Sequence, residues 1–191
     1  MENELQEYLT QFEEKLLEQL IKQLSSKSLL GGYGYTIDEL DEVWRQCRAE
    51  YVADAMPEIA KYPLAATAWA AYVGIGCAIR WDRQILEDAA DAKPYFVLRD
   101  ARGFDELDEY VEYLMLDSGF RKEQIDTISD ALRSAAQTAI DAIRHENIEP
   151  QTVRAFHAFA RCAKVMFTIG VAIALYELGY SYQKATVELP S

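Results

Sequence analysis

Two sets of charged side chains stand at spacings that chemistry could use. Arg154, His157, Arg161, Lys164 and Thr168 follow one another at steps of 3, 4, 3 and 4, which on a helix draws one basic line along one face. Like charges at such steps repel by about 0.2–0.5 kcal/mol per pair unless something answers them. Either carboxylates of neighbouring helices supply the answer, or a bound anion does. In the anion reading Arg154, His157, Arg161 and Lys164 hold the ligand, with Arg80 and Arg83 as further cationic contacts. The second set is acidic. Asp105, Asp108, Glu109 and Glu112 share a helix face, and magnesium needs only one or two carboxylates when a phosphorylated substrate supplies the rest. A binder or magnesium-dependent hydrolase of an anionic small molecule requires both sets to face one cavity.

Other chemistries are narrowed by what the chain lacks. Its 2 histidines, His145 and His157, exclude three-histidine metal sites, and the Glu-x-x-His steps of di-iron bundles are missing. Cys162 and His157 lie five apart, on different helix faces, so they do not form a nucleophile pair. The glycine cluster Gly31-Gly32-Tyr33-Gly34 is followed by no Gly-Lys-Ser/Thr and reads as a connector. The steps Glu109-x-x-Glu112 and Glu123-x-x-Asp126 resemble the paired acidic steps of the all-α magnesium-dependent nucleoside triphosphate pyrophosphohydrolases. That resemblance covers these two steps alone, with a shorter gap between them than in that family. A third reading, an apolar ligand pocket, would use Trp69, Tyr72, Phe167 and Tyr176.

The elements that must position these residues are helices. The segment from Pro150 to Gly179 is apolar nearly all round, with proline suited to a first helical position and glycine to the residue after the last. Its uncharged run, Val165 to Tyr176, is 12 residues, short of the roughly 18 to 20 that span a bilayer, so it reads as a core helix. Pro63 opens another helix, expected to reach about Ala92, in which Gly74 and Gly76 sit among alanines. Two interior glycines cost about 1 kcal/mol each against alanine. The expected return is close passage of a second backbone, with Gly170 as counterpart. Apolar stripes run along residues 2–27 (Leu5 to Leu24) and 37–56 (Leu40, Trp44, Cys47, Tyr51), and further helices cover 104–117 and 120–146. Thr36 to Glu39 reads as a capping box, and Met56-Pro57 as the end of the second helix. Asp-Glu-Leu-Asp-Glu occurs at 38–42 and again at 105–109, each time at a helix start, where acids meet the positive end of the helix dipole.

These elements predict an all-α, single-domain bundle over residues 1–191 with about six helices, those near 63–92 and 150–179 at the centre. The formal charge of −13 argues against nucleic acid as the main partner and, for the same reason, against anionic membrane surfaces. Three well-separated cysteines, Cys47, Cys77 and Cys162, read as buried free thiols of a reducing interior, and with no leader visible near Met1 the expected location is the cytoplasm. Because no constellation rises above its structural role, the expected function is an interaction or assembly module. It would form a homo-oligomer, or bind another protein, through an amphipathic helix such as the first. No cofactor is called for, apart from magnesium in the alternative reading.

Overall fold

The computed structural model describes residues 1–34, 36–86, 91–149 and 151–180. Among them the chain is all-α, with no strand. Its helices are α1 (Glu2–Ser26), α2 (Asp38–Ile59), α3 (Pro63–Asp82), α4 (Lys93–Asp100), α5 (Leu107–Asp117), α6 (Lys122–His145) and α7 (Val153–Glu177), and a 3-10 turn, Phe104–Glu106, precedes α5. The addition to the expected six is α4, formed by a stretch whose four-residue apolar run, Tyr95 to Leu98, is too short to reveal its period. Tyr95 and Leu98 are buried, and the Tyr95 hydroxyl donates to Asp54 on α2 at 2.5 Å.

α3 and α7 form the most extensively packed pair, at the centre of the bundle. From Ala70 to Ile79 every residue of α3 is buried, as is every residue of α7 from Ile169 to Leu175. A Cβ placed on Gly170 would stand 1.9 Å from the carbonyl oxygen of Ala71, and one on Gly74 would stand 2.3 Å from that of Phe167. The two backbones touch where neither residue has a side chain. Gly76 serves differently: its missing Cβ makes room for Leu98 and Val111. α7 is long and apolar enough to cross a membrane by length and composition, but 78 % of its most apolar window is buried inside the protein.

α1 lays Leu9, Phe12, Leu16, Leu20 and Leu24 into the core against α6 and α7. Its apolar stripe is consumed by the chain's own fold, which corrects the expectation that this helix offers a contact surface. Two local signals are corrected as well. The N-cap of α2 is Ile37, with no side-chain cap, so the box expected from Thr36 does not form. Pro57 does not end α2, which continues to Ile59. The carbonyl that loses its partner belongs to Ala53, on the exposed side, where water can replace the bond. α3 ends at Asp82 rather than near Ala92, and Gln84 beyond it has a positive φ of 59°; residues 87–90 of the expected extension lie outside the described residues.

At α7 the cap that forms is Thr152, whose hydroxyl accepts from the Ala155 amide at 3.1 Å. Pro150, expected at the first position, lies outside the described residues. Gly179, at φ 90°, closes the helix, with the Tyr180 amide donating to the Leu175 carbonyl at 2.9 Å.

Candidate functional site

The basic line on α7 faces α1 and is answered there. Glu13 accepts from Arg161 at 2.5 Å through one oxygen and from Lys164 at 2.6 Å through the other. The Glu13 side chain is 16 % exposed, so this is a half-covered ionic junction between two helices rather than a solvated pair. Arg154 lies over the ring of Tyr8, 4.2 Å from its centroid, while the Tyr8 hydroxyl donates to Glu146 at 2.8 Å. Burial, followed by that bond to a carboxylate, raises the Tyr8 phenol above its ordinary value. His157 is exposed and packs edge-on against Phe156. Of the two cations at the end of α3, Arg83, just beyond its last residue, pairs with Asp117 at 3.0 Å and donates to Ser118, tying the end of α3 to the end of α5. Arg80 donates to the Ile85 carbonyl at 3.3 Å. The six predicted basic contacts therefore serve different neighbourhoods.

The acidic set divides too. Asp105 lies in the exposed 3-10 turn, and Glu109 is exposed, 4.0 Å from Arg102. Asp126 is paired with Lys122 at 2.8 Å and Glu123 is exposed, so the two acidic steps on α5 and α6 do not form a common site. Among the described residues no group of three or more His, Cys, Asp or Glu side chains could hold a metal ion. Asp108 and Glu112 remain. They lie one turn apart on α5 and face a cleft of about 430 Å³ between α3, α5 and α6.

The cleft has an apolar wall and a polar one. The wall from α3 carries Leu64, Ala68, Trp69 and Tyr72. The Trp69 indole is fixed by donating to the Phe104 carbonyl at 2.9 Å, and Tyr72 meets it edge-on at 5.6 Å and 82°. Opposite, Glu112 accepts from the Ser129 hydroxyl at 2.7 Å. Desolvation raises the Asp108 carboxyl above its ordinary value, with the charges of Glu112 and Glu109 adding to the rise. Burial likewise pushes the Tyr72 phenol up to about 12. Trp69 and Tyr72 are half of the aromatic set read from the sequence. The other half is elsewhere: Phe167 packs on Trp44 in the core at 5.1 Å, and Tyr176 is exposed beside Gly31.

A second cavity, about 580 Å³, opens where the end of α2, the start of α3, the end of α6 and the start of α7 meet. Met56, Ile59, Ile140, Ile143, Phe156 and Phe159 give it an almost wholly apolar lining, with Arg144 at its edge. Within this lining Val153 is 71 % exposed and Phe156 42 %. Sequence reasoning missed this groove because its residues come from four separate helix ends. The signal that was present is Phe156 itself, an aromatic residue one position before a basic face. Neither cavity is lined by a residue of the α7 basic line. Comparison with protein-family models, with curated proteins and with solved structures finds no match to this chain.

Proposed function

We propose that the protein is an assembly module that pairs with a second copy of itself through the apolar groove at the α2, α3, α6 and α7 ends. The observation that carries this reading is an open apolar groove whose lining includes large, exposed apolar side chains. Exposed Val153 and Phe156 are themselves part of the lining of a groove of about 580 Å³ that is apolar and open. An isologous two-fold contact brings the same patch of both copies together, so each copy would cover the other's exposed apolar side chains. Buried aromatic anchors in desolvated pockets contribute most of the binding energy of such contacts. The reading replaces α1 with this patch as the contact surface, because the apolar face of α1 is already covered.

The alternative of an anionic ligand is weaker. It needs the basic line free and facing the acids, whereas Arg161 and Lys164 are engaged by Glu13 and the acids face another cleft. A nucleic-acid partner is disfavoured by the same engagement and by the charge of −13. The three free cysteines are all buried, which supports placing the assembly in a reducing compartment such as the cytoplasm.

Light scattering coupled to size exclusion tests the proposal. The expected mass is twice the 21.7 kDa of one chain, falling to one chain in Phe156→Glu and Val153→Glu. Both side chains are exposed enough that the monomeric variants should keep the unfolding midpoint of a folded chain. A strict monomer at high micromolar concentration, or a dimer indifferent to both substitutions, refutes it.

A further inference from the structure

The cleft between α3, α5 and α6 sets two carboxylates opposite an aromatic wall. Asp108 and Glu112 are half-buried, one turn apart on α5, and among the described residues no lysine or arginine nitrogen lies within 4.0 Å of either. Like charges at this spacing repel, and partial burial adds to the cost. Ser129 satisfies one oxygen of Glu112. The opposite wall is aromatic and held in place: Trp69 is anchored through its indole nitrogen, and Tyr72 is packed edge-on against it. Lys61 and Arg133 also line the cleft and are exposed, and the acid that Arg133 approaches is Asp130, at 3.9 Å. Neither forms an ion pair with Asp108 or Glu112, so an ammonium group of a ligand would be the nearer counter-charge.

We propose that this cleft is a binding site for a small organic cation, an amine with an apolar or aromatic body. Its ammonium group would sit between the carboxylates of Asp108 and Glu112, and its body would lie against Trp69, Tyr72, Leu64 and Ala68. Three features select that chemistry. The carboxylates supply charge at the inner wall. The rings supply negative faces that attract a cation in a partly desolvated position. The volume of about 430 Å³ lies in the range of small-molecule sites and admits a single ring with a short amine-bearing chain. A bare divalent ion is a poorer fit, because the cleft brings together only two carboxylates and an apolar wall. The cleft shares only Pro63 with the lining of the assembly groove, and its test does not depend on whether the chain dimerises.

The probes are phenethylamine, phenethyl alcohol of nearly the same shape without the charge, and phenylalanine, which adds a carboxylate. Each is titrated into the full chain while the indole resonances are followed by ¹H–¹⁵N NMR, with Trp69→Phe assigning the signal. The expected result is a saturable shift of the Trp69 indole by the amine and at least about tenfold weaker binding of the alcohol, equivalent to about 1.4 kcal/mol. Asp108→Asn and Glu112→Gln should each weaken the amine severalfold without lowering the unfolding midpoint, and Arg133→Gln should not weaken it. Equal binding of amine and alcohol overturns the assignment in favour of a purely apolar pocket. Tighter binding of phenylalanine than of the amine overturns it in favour of a zwitterion site. No saturable shift with any probe at millimolar concentration overturns it outright. The amine-to-alcohol comparison is made on the unmodified chain, so it stands even if a variant fails to fold.

Discussion

Replacing Gly170 by alanine tests the centre of the fold most directly. The added methyl would stand 1.9 Å from the Ala71 oxygen, 2.7 Å from its carbonyl carbon and 2.9 Å from its Cα, and all three atoms are backbone. No rotamer change relieves such a contact. An ordinary contact begins near 3.4 Å, so α3 and α7 must part by about 1.5 Å at the crossing. A radial gap of about 0.5–1 Å already forfeits a quarter to a half of a dispersion well, and these two helices share the largest interface in the bundle. Overpacking costs about 1–3 kcal/mol and more where nothing yields, while alanine returns about 1 kcal/mol of helix propensity. With only backbone atoms to yield, the gross cost is taken as about 4 kcal/mol, and the net expectation is a loss of about 3 kcal/mol, or a midpoint lower by about 6–12 °C in a chain of this size.

The comparison that isolates the mechanism is Gly76→Ala, where the nearest atoms are the tips of Leu98, at 2.9 Å, and Val111, at 3.3 Å. Those tips can turn aside, so the loss should be about 1 kcal/mol or less. Gly74→Ala meets the Phe167 oxygen at 2.3 Å and should resemble Gly170→Ala. Because one separation of the helices accommodates both methyls, the double variant should lose less than the sum of the singles by about 1 kcal/mol or more. Urea unfolding followed by circular dichroism gives all four values. Stability of Gly170→Ala within about 0.5 kcal/mol of the parent, or strict additivity in the double variant, would refute the reasoning.

Two further outcomes follow from the charges. Glu13→Gln leaves Arg161 and Lys164 side by side without their shared carboxylate. Because the junction is half-covered, the loss should lie between that of an exposed and a buried pair, about 1–2 kcal/mol by urea unfolding; less than about 0.5 kcal/mol would make it an ordinary surface contact. Asp108→Asn should raise the midpoint at pH 7. The folded carboxyl lies above its ordinary value of 3.8, so the folded state holds the proton more tightly, and stability is lost as pH rises from that value through the folded one. The benefit of asparagine should therefore be full at neutral pH and vanish near pH 3. A benefit independent of pH, or a lower midpoint at pH 7, would place the cause outside ionisation.

The core of this protein is legible from period and residue size. Leu9 to Leu24, Leu40 to Tyr51, and the small residues of α3 against Gly170 each state a face in one stretch of chain, and the faces they state are the buried ones. The charged faces were harder to read. The line from Arg154 to Lys164 is visible as a line, but its partner, Glu13, is one of 32 acids and sits about 150 residues away. Spacing says which residues share a face; it does not say which face lies opposite. Where two helices meet along an apolar seam, the charges bordering the seam are brought together as a consequence, so the junction of Glu13 with Arg161 and Lys164 follows from how Phe12 and Leu16 seat α1 on α7.

The same argument explains where the two cavities open. Helices packed lengthwise leave little space between them, and gaps appear where a helix begins or ends beside one that continues. α3 begins at Pro63, and that residue lines both the groove and the cleft. From Ala70 onward α3 is sealed by α7 and its other neighbours; in its first two turns it is bounded on one side by the ends of α2, α6 and α7 and on the other by α5 and α6. The glycine crossing fixes α3 rigidly at its middle, which makes its first turns a fixed wall for two openings of different chemistry, one apolar and one lined by aromatic rings and carboxylates. A surface patch and a small-molecule cleft can therefore differ in partner while depending on one buried contact. Loosening that contact through Gly170→Ala should weaken both dimer formation and amine binding, whereas Phe156→Glu should affect the first alone.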